Sequence, residues 1–230
     1  DNLLVSRFFG TTALGGYNLV REVSLLPALS AIIPMSEPLL AAIAQSRQSR
    51  TNLAYRVSFS LALMITVLTP ITVFIMLYPE LIVRVLLGTQ WTEFAPLLQP
   101  FGLFFFTFCL FSLMSDAVIA QGKVKGLFWF DLTSTTIILA TLYWFATDSL
   151  NTMAWARGWL AVATTAALLF ILQRQTRFSV GHLLLLCLPA ALGSSASALV
   201  TISLDMPWEL PLAEFMVRGT VFVLMAAVST

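Results

Sequence analysis

Four polar residues lie close together in the otherwise apolar stretch Tyr17–Ala44, and they are the best candidates for contacting a polar ligand. Tyr17, Asn18, Arg21 and Glu22 are spaced three or four residues apart, which places them on one stripe of a helix. Ionisable residues inside a membrane span cost roughly 2.5–3.5 kcal/mol each and usually face a cavity or a partner. We therefore predict that the stripe lines a substrate cavity. The alternative is a purely structural pairing of Arg21 and Glu22 with neighbouring helices.

Three prolines follow the polar stripe in the same stretch: Pro27, Pro34 and Pro38. Each proline removes a backbone donor, and at membrane depth the freed carbonyls need neighbouring helices or water. A charged and broken helix is what secondary transporters place beside their pathway. The stretch therefore indicates transport, and the other helices are interpreted mainly as scaffold.

Further charges lie in apolar surroundings. Arg7 lines the mouth of the cavity or, equally, extends to the membrane interface. Asp116 and Asp131 are candidates for binding a coupling proton or Na⁺. Pairing of these carboxylates with Lys123 and Lys125 is the favoured alternative.

Two arginines, Arg157 and Arg218, lie inside later helices and need partners, for which lipids or the carboxylates of Glu209 and Glu214 are candidates. His182 lies beside a basic turn and is interpreted as an interface residue in preference to a proton relay.

Nothing in the sequence indicates an enzyme. There is no Ser–His–Asp set, no cluster of metal ligands and no phosphate-binding glycine loop, since GTTALGG does not follow a strand. Cys109 and Cys187 lie in apolar runs and are interpreted as small hydrophobic residues, not as a disulfide or metal pair. We expect no catalytic residue, no metal and no cofactor.

The composition indicates an integral membrane protein. The chain has 230 residues, of which 59% are hydrophobic and 10% charged, whereas soluble domains contain about 25% charged residues. The net charge of +1 says nothing about nucleic acid, but no run of Lys or Arg is long enough to follow a phosphate backbone, so we expect no nucleic-acid partner.

The apolar runs predict an all-α, polytopic bundle of about seven complete transmembrane helices plus one truncated helix. The truncated helix covers 1–9 and ends at Gly10, Gly15 and Gly16. The complete helices are predicted near 13–45, 54–78, 94–121, 127–146, 153–172, 183–204 and 212–230, with an interfacial helix at 80–87. Because the chain begins in mid-pattern without Met, we expect residues 1–230 to be one transmembrane domain of a longer protein.

The loops between these helices alternate in charge. One set is basic and carries Arg47, Arg50, Arg56, Lys123, Lys125, Arg174 and Arg177; the other is mainly acidic and carries Glu80, Glu93, Asp148, Asp205 and Glu209. The positive-inside rule places the basic set in the cytoplasm and the acidic set outside.

Three motifs carry a family resemblance. DNLLVSRFFGTTALGGYNL resembles a segment of bacterial polysaccharide flippases that reads approximately D-N-L-L-I-G-R-F-L-G, then L-G-Y-Y-S-L. GTQWTEFAPLLQPFGL resembles their G-x-x-W…P-L-L pattern, with Gly88, Trp91, Pro96, Leu97 and Leu98, and AQGKVKG resembles their A-L-G-R/K turn. The ordered set is similar to the polysaccharide-transport branch of the multidrug/oligosaccharidyl-lipid/polysaccharide flippase superfamily.

The resemblance implies a V-shaped protein of two helical bundles, with this chain as the C-terminal bundle and an N-terminal bundle as its partner. It implies export of undecaprenyl-pyrophosphate-linked oligosaccharide across the bacterial inner membrane by alternating access, for lipopolysaccharide or exopolysaccharide synthesis. Two residues depart from the family pattern. The family's usual basic residue aligns with Glu22, while Arg21 lies one position earlier, about 100° away on a helix. Glu37 stands where relatives more often have Arg.

Two other functions compete with the flippase. A cation-coupled small-molecule antiporter of the same superfamily differs in its substrate. A membrane-embedded glycan polymerase is disfavoured, because it would carry a large external loop and the loops here are short.

Overall fold

The computed structural model describes residues 1–45, 50–203 and 214–222, and every regular element within these ranges is helical. The main helices are α1 (Asn2–Pro27), α2 (Ile33–Gln45), α3 (Arg50–Leu77), α4 (Pro79–Leu86), α5 (Leu98–Ala120), α6 (Val124–Phe145), α7 (Leu150–Thr176) and α8 (Val180–Ser203). A π-helical turn, Ala28–Ile32, joins α1 to α2, and a 3₁₀ segment, Thr89–Leu97, precedes α5. Residues 214–222 are also helical.

Four helical segments in the described part of the chain are long and apolar enough to cross a bilayer. They are Asn52–Leu77, Thr89–Ala120, Val124–Phe145 and Leu150–Thr176. A shorter apolar stretch, Leu185–Leu199, lies within α8. The chain is therefore an all-α, multi-pass membrane protein, as the sequence predicted. The predicted total of about seven complete spans stays a prediction, and most of the helix predicted at 212–230 lies outside the described residues.

Three glycines near the start of the chain were predicted to end the first helix, and the structure agrees at only one of them. Gly10 interrupts α1 with φ 84° and ψ 177°, a conformation that favours glycine, so the predicted break there is confirmed. Gly15 and Gly16 were wrongly predicted to end the helix, because both lie inside α1. Gly16 has a packing role instead: a Cβ atom placed on it would lie 2.5 Å from the ring of Phe94.

The predicted long helix at 13–45 contains a π turn between two of its prolines, Pro27 and Pro34. Pro34 cannot donate to the carbonyl four residues earlier, at Ser30, and its ring would clash with that carbonyl in a regular α-helix. The helix widens into the π turn Ala28–Ile32 at this point, and the Ser30 hydroxyl donates to the Leu26 carbonyl at 2.6 Å. π turns inside helices occur frequently at functional sites.

Helix α5 is the centre of the bundle and packs against α1, α2, α3 and α7. Its buried residues include Phe101, Phe105 and Leu113. Contact with α7 is close because Gly158 lies against the backbone of Pro100, where an added Cβ would be 2.9 Å from the carbonyl oxygen. Small residues permit such close approach of membrane helices. This packing places α7 beside α5 and the beginning of α1, where the polar residues meet.

Helix α6 lies at the periphery of the bundle. Only 11% of its most apolar 18-residue window is buried, against 28–44% for the other candidate spans. Its outer surface carries large apolar side chains, including Phe128, Trp129, Tyr143 and Trp144. An apolar surface of this kind is suited to contact with the lipid chains of the bilayer.

Candidate functional site

The predicted polar stripe on α1 is divided between the interior and the surface of the bundle. Tyr17 is completely buried, and its ring packs edge-to-face on Phe101 with centroids 5.0 Å apart. Asn18 and Arg21 are half-buried, whereas Glu22 is exposed. The division follows from helix geometry, because at about 100° per residue Arg21 lies about 40° from Tyr17 around the helix, Asn18 about 100° and Glu22 about 140°. Tyr17 and Arg21 therefore face the same side, Asn18 lies at its edge, and Glu22 points to the surface.

Two polar atoms of this stripe are buried without a hydrogen-bond partner among the described residues. They are the hydroxyl of Tyr17 and the Oδ1 atom of Asn18. Within the same part of the chain, no ion pair joins Arg21 to Glu22 or to another side chain. The structural pairing considered as an alternative is thus not present there, and the cavity role stays a prediction.

An interhelical ion pair connects α7 to the residue before α1. The Nε atom of Arg157 donates to Oδ2 of Asp1 at 3.0 Å, and both side chains are mostly buried, with 18% and 16% exposed. The guanidinium also lies over the ring of Phe104 on α5, with Cζ 4.5 Å from the ring centroid. Arg157 is therefore fixed by two other parts of the bundle, by an ion pair and by a cation–π contact.

The ion pair and the stripe form one polar cluster, which we define as Asp1, Tyr17, Arg21 and Arg157. The positive charges of Arg157 and Arg21 both act on the Tyr17 hydroxyl. The side chains of the cluster comprise two guanidinium groups and one carboxylate. One positive charge therefore has no counter-charge within the cluster, and the arrangement favours an anion.

Sequence reasoning recognised that Arg157 needs a partner but did not identify Asp1. The candidate Glu209 lies outside the described residues. Asp1 is 156 positions from Arg157, so no local spacing connects them. The available signal was that a deep cation requires a carboxylate and that Asp1 begins the motif DNLL.

The second deep arginine has the predicted partner. Arg218 Nε lies 2.9 Å from Glu214 Oε1, and its Cζ is 5.1 Å from the centroid of the Tyr78 ring. The prediction that Glu214 satisfies Arg218 is confirmed. The side chain of His182 lies outside the described part of the structure.

The remaining candidates stand apart from the polar cluster. Arg7 is exposed on the first part of α1, and both of its proposed roles stay open. Asp116 on α5 and Asp131 on α6 are half-buried. In the described ranges neither carboxylate forms an ion pair with Lys123 or Lys125, so the favoured pairing is not observed. Coupling-ion binding by the two aspartates stays a prediction.

Comparison with known proteins supports the resemblance seen in the motifs. A family model described as polysaccharide biosynthesis protein matches residues 1–96. A solved structure titled "Lipid II flippase MurJ, inward closed conformation" is similar with a TM-score of 0.76 and 16% sequence identity. The similarity covers 98% of this chain and 48% of that chain, so the chain spans about half the length of that protein. No curated protein sequence matches.

The family match supports the predicted resemblance over residues 1–96, and the structural match confirms the predicted all-α fold. The matched segment 1–96 includes three members of the polar cluster, Asp1, Tyr17 and Arg21, whereas Arg157 lies beyond it.

Proposed function

We propose that this chain is the C-terminal lobe of a flippase that carries lipid-linked oligosaccharides across the bacterial inner membrane. The observation that carries the proposal is the polar cluster, because it holds two guanidinium groups and only one carboxylate within an apolar bundle. An intramembrane charge without an internal counter-charge marks a ligand pathway. The resemblance to polysaccharide flippases supports a ligand with a phosphate group, and we assign it as undecaprenyl-pyrophosphate-linked oligosaccharide.

Asn18 and Arg21 would contact the ligand from one wall of the cavity, and the fully buried Tyr17 would reach it once the surrounding helices move. The unpartnered Tyr17 hydroxyl and Asn18 carbonyl oxygen suit hydrogen bonds to a hydrated, oxygen-rich ligand. Glu22 is exposed and Arg7 lies on the other side of the Gly10 break, so we assign both to the edge of the pathway. The opposite wall would come from an N-terminal lobe, and membrane lipids would surround both lobes.

The π turn gives this wall a means of moving. Alternating access requires two arrangements of the helices that line the pathway. The turn Ala28–Ile32 follows Arg21 by less than two helical turns and interrupts the regular hydrogen-bond ladder. Rocking of α1 against α2 at this turn would change which side of the membrane the polar cluster faces. No catalytic step is required, so the protein is proposed to be a transporter and not an enzyme.

A cation-coupled small-molecule antiporter is the second candidate. It is favoured by Asp116 and Asp131, two half-buried carboxylates on membrane spans without an ion pair among the described residues. A cation would satisfy such groups.

Genetic complementation distinguishes the two candidates. The complete two-lobed protein is expressed in bacterial strains that each lack one oligosaccharide flippase, and surface glycan is measured by immunoblotting. Restored glycan in one strain, without increased resistance to cationic drugs, is the expected result. Drug resistance without glycan would identify the antiporter and contradict the flippase.

A further inference from the structure

The two arginines of the polar cluster are not equivalent. Arg157 is neutralised by Asp1 at 3.0 Å, whereas Arg21 has no ion pair among the described residues. In a low-dielectric interior a cation without a counter-charge is costly. An anion that entered the cluster would meet Arg21 directly, but it would have to compete with Asp1 for Arg157.

The Tyr17 hydroxyl is an independent indication of a ligand at this point. The side chain has no exposed surface, its hydroxyl has no hydrogen-bond partner in the described part of the chain, and both guanidinium charges act on it. A buried hydroxyl without a partner carries a desolvation cost that no hydrogen bond offsets. A phosphate oxygen near the two arginines would accept a hydrogen bond from this hydroxyl and remove that cost.

We propose that Arg157 exchanges partners, binding Asp1 when the cluster holds no ligand and a phosphate group of the ligand when it does. Carboxylate and phosphate oxygens accept the same charge-assisted hydrogen bonds from a guanidinium. The Phe104 ring, 4.5 Å from Cζ, keeps the guanidinium in place while its anion changes. The inference rests on the proposed function, since it gives the phosphate of the same ligand a second contact.

Asp1 is then an internal competitor that sets the affinity for the ligand. The apparent dissociation constant equals the intrinsic constant divided by the fraction of protein able to bind. A pair closed about nine-tenths of the time weakens binding about tenfold. Weaker binding is useful for a transporter, because a ligand held by two arginines without a competing carboxylate would dissociate slowly.

The test measures binding of prenyl pyrophosphate to the complete two-lobed protein in detergent. The probes are farnesyl pyrophosphate, inorganic pyrophosphate and farnesol, which separate the lipid headgroup from the free anion and from the lipid tail. Both the dissociation constant and the ligand-induced rise in unfolding temperature are recorded. Asp1→Asn is expected to tighten farnesyl pyrophosphate binding about five- to tenfold, and Asp1→Glu should keep the wild-type affinity within about twofold because it retains the carboxylate.

Loss of the arginine should act in the opposite direction. Arg157→Gln is expected to weaken farnesyl pyrophosphate binding about tenfold, and Arg157→Lys less, since lysine keeps the charge but not the planar fork. Asp1→Asn combined with Arg157→Gln should bind like Arg157→Gln alone. Glu214→Gln is the control, because it breaks another ion pair, the i,i+4 pair Glu214–Arg218 within one helix, and should leave binding unchanged.

The outcomes separate this inference from the proposed function. If wild-type protein binds no pyrophosphate probe, both are overturned. If it binds farnesyl pyrophosphate but Asp1→Asn binds no better, the ion pair is purely structural and only the exchange is overturned. Asp1→Asn that loses thermal stability without ligand yet gains a larger ligand-induced stabilisation supports exchange, since a structural pair would give the loss alone.

Discussion

Gly158 of α7 lies directly against the backbone carbonyl of Pro100 at the beginning of α5. A Cβ atom on Gly158 would be 2.9 Å from that oxygen and 3.6 Å from the Cβ of Leu103. A backbone carbonyl cannot rotate away as a side chain can, so the two helices would have to separate. The same interface contains a bond from the Thr165 hydroxyl to the Thr107 carbonyl at 3.4 Å, and it holds Arg157 beside Phe104.

Gly158→Ala is therefore expected to lower the free energy of unfolding by about 1–3 kcal/mol, the usual cost of overpacking. The measurement is the thermal unfolding temperature in detergent. Gly126→Ala on α6 is the control, because an added Cβ there meets nothing within 4 Å. Alanine should be neutral or stabilising at that position, by up to about 1 kcal/mol. Equal effects of the two substitutions would show that helix propensity, and not interhelical contact, controls stability here.

A second pair of adjacent glycines tests the packing of α1. Gly16→Ala would place its Cβ 2.5–2.6 Å from three ring atoms of Phe94, whereas Gly15→Ala meets nothing within 4 Å. We expect Gly16→Ala to be less stable than Gly15→Ala by about 1–2 kcal/mol. In a double-mutant cycle, Phe94→Ala should recover part of the loss, because alanine lacks the Cγ and Cδ atoms that the added Cβ would meet. An unchanged penalty in the Phe94→Ala background would contradict the contact.

Much of this fold could be predicted from local patterns, because hydrophobic length and proline chemistry act locally. The π turn between Pro27 and Pro34 and the break at Gly10 follow from residues whose backbone preferences are intrinsic. The role of Gly16 could not be predicted in this way. A glycine inside a span serves either to break a helix or to admit a neighbour, and only the position of Phe94 decides between them.

The candidate site was predicted only in part, because some of its residues follow from local spacing and others from the packing of distant helices. The α1 residues were found from their spacing, since residues three or four apart share a helix face. The separation of Glu22 from Arg21 depends on where the bundle places that face. The pairing of Asp1 with Arg157 depends on how α7 packs on α5 and α1, and no sequence interval encodes that contact.

Membrane topology is tested at the two ends of α6. Val124 and Thr147 are both exposed and uncharged, so cysteine at either position leaves the loop charges intact. Ser149 is unsuitable because its hydroxyl caps α7 by accepting from the Thr152 amide at 3.1 Å. With Cys109 and Cys187 replaced by alanine, a membrane-impermeant thiol reagent applied to intact cells should label Thr147→Cys and not Val124→Cys. The reverse pattern would invert the orientation given by the basic loops.

The role of Arg21 is tested by comparing transport with protein abundance. Arg21 is half-buried next to the unpartnered Tyr17 hydroxyl, whereas Arg7 is exposed beyond the Gly10 break. In the complete protein, Arg21→Ala should reduce glycan export about tenfold or more, the usual scale for loss of a charge-assisted contact in a desolvated site, while its membrane abundance stays within about twofold of wild type. Arg21→Lys should retain intermediate export, because the charge remains but the planar fork does not.

Arg7→Ala is the matched control for this experiment, since it removes the same charge from the same helix at an exposed position. It should change export by less than about twofold, because an exposed arginine contributes little when its partners are solvent or lipid headgroups. Export is measured as surface glycan per unit of membrane protein, so that unstable variants are not scored as inactive. If Arg21→Ala lowers abundance and export in parallel, Arg21 supports the fold, and the cavity assignment for α1 has to be withdrawn.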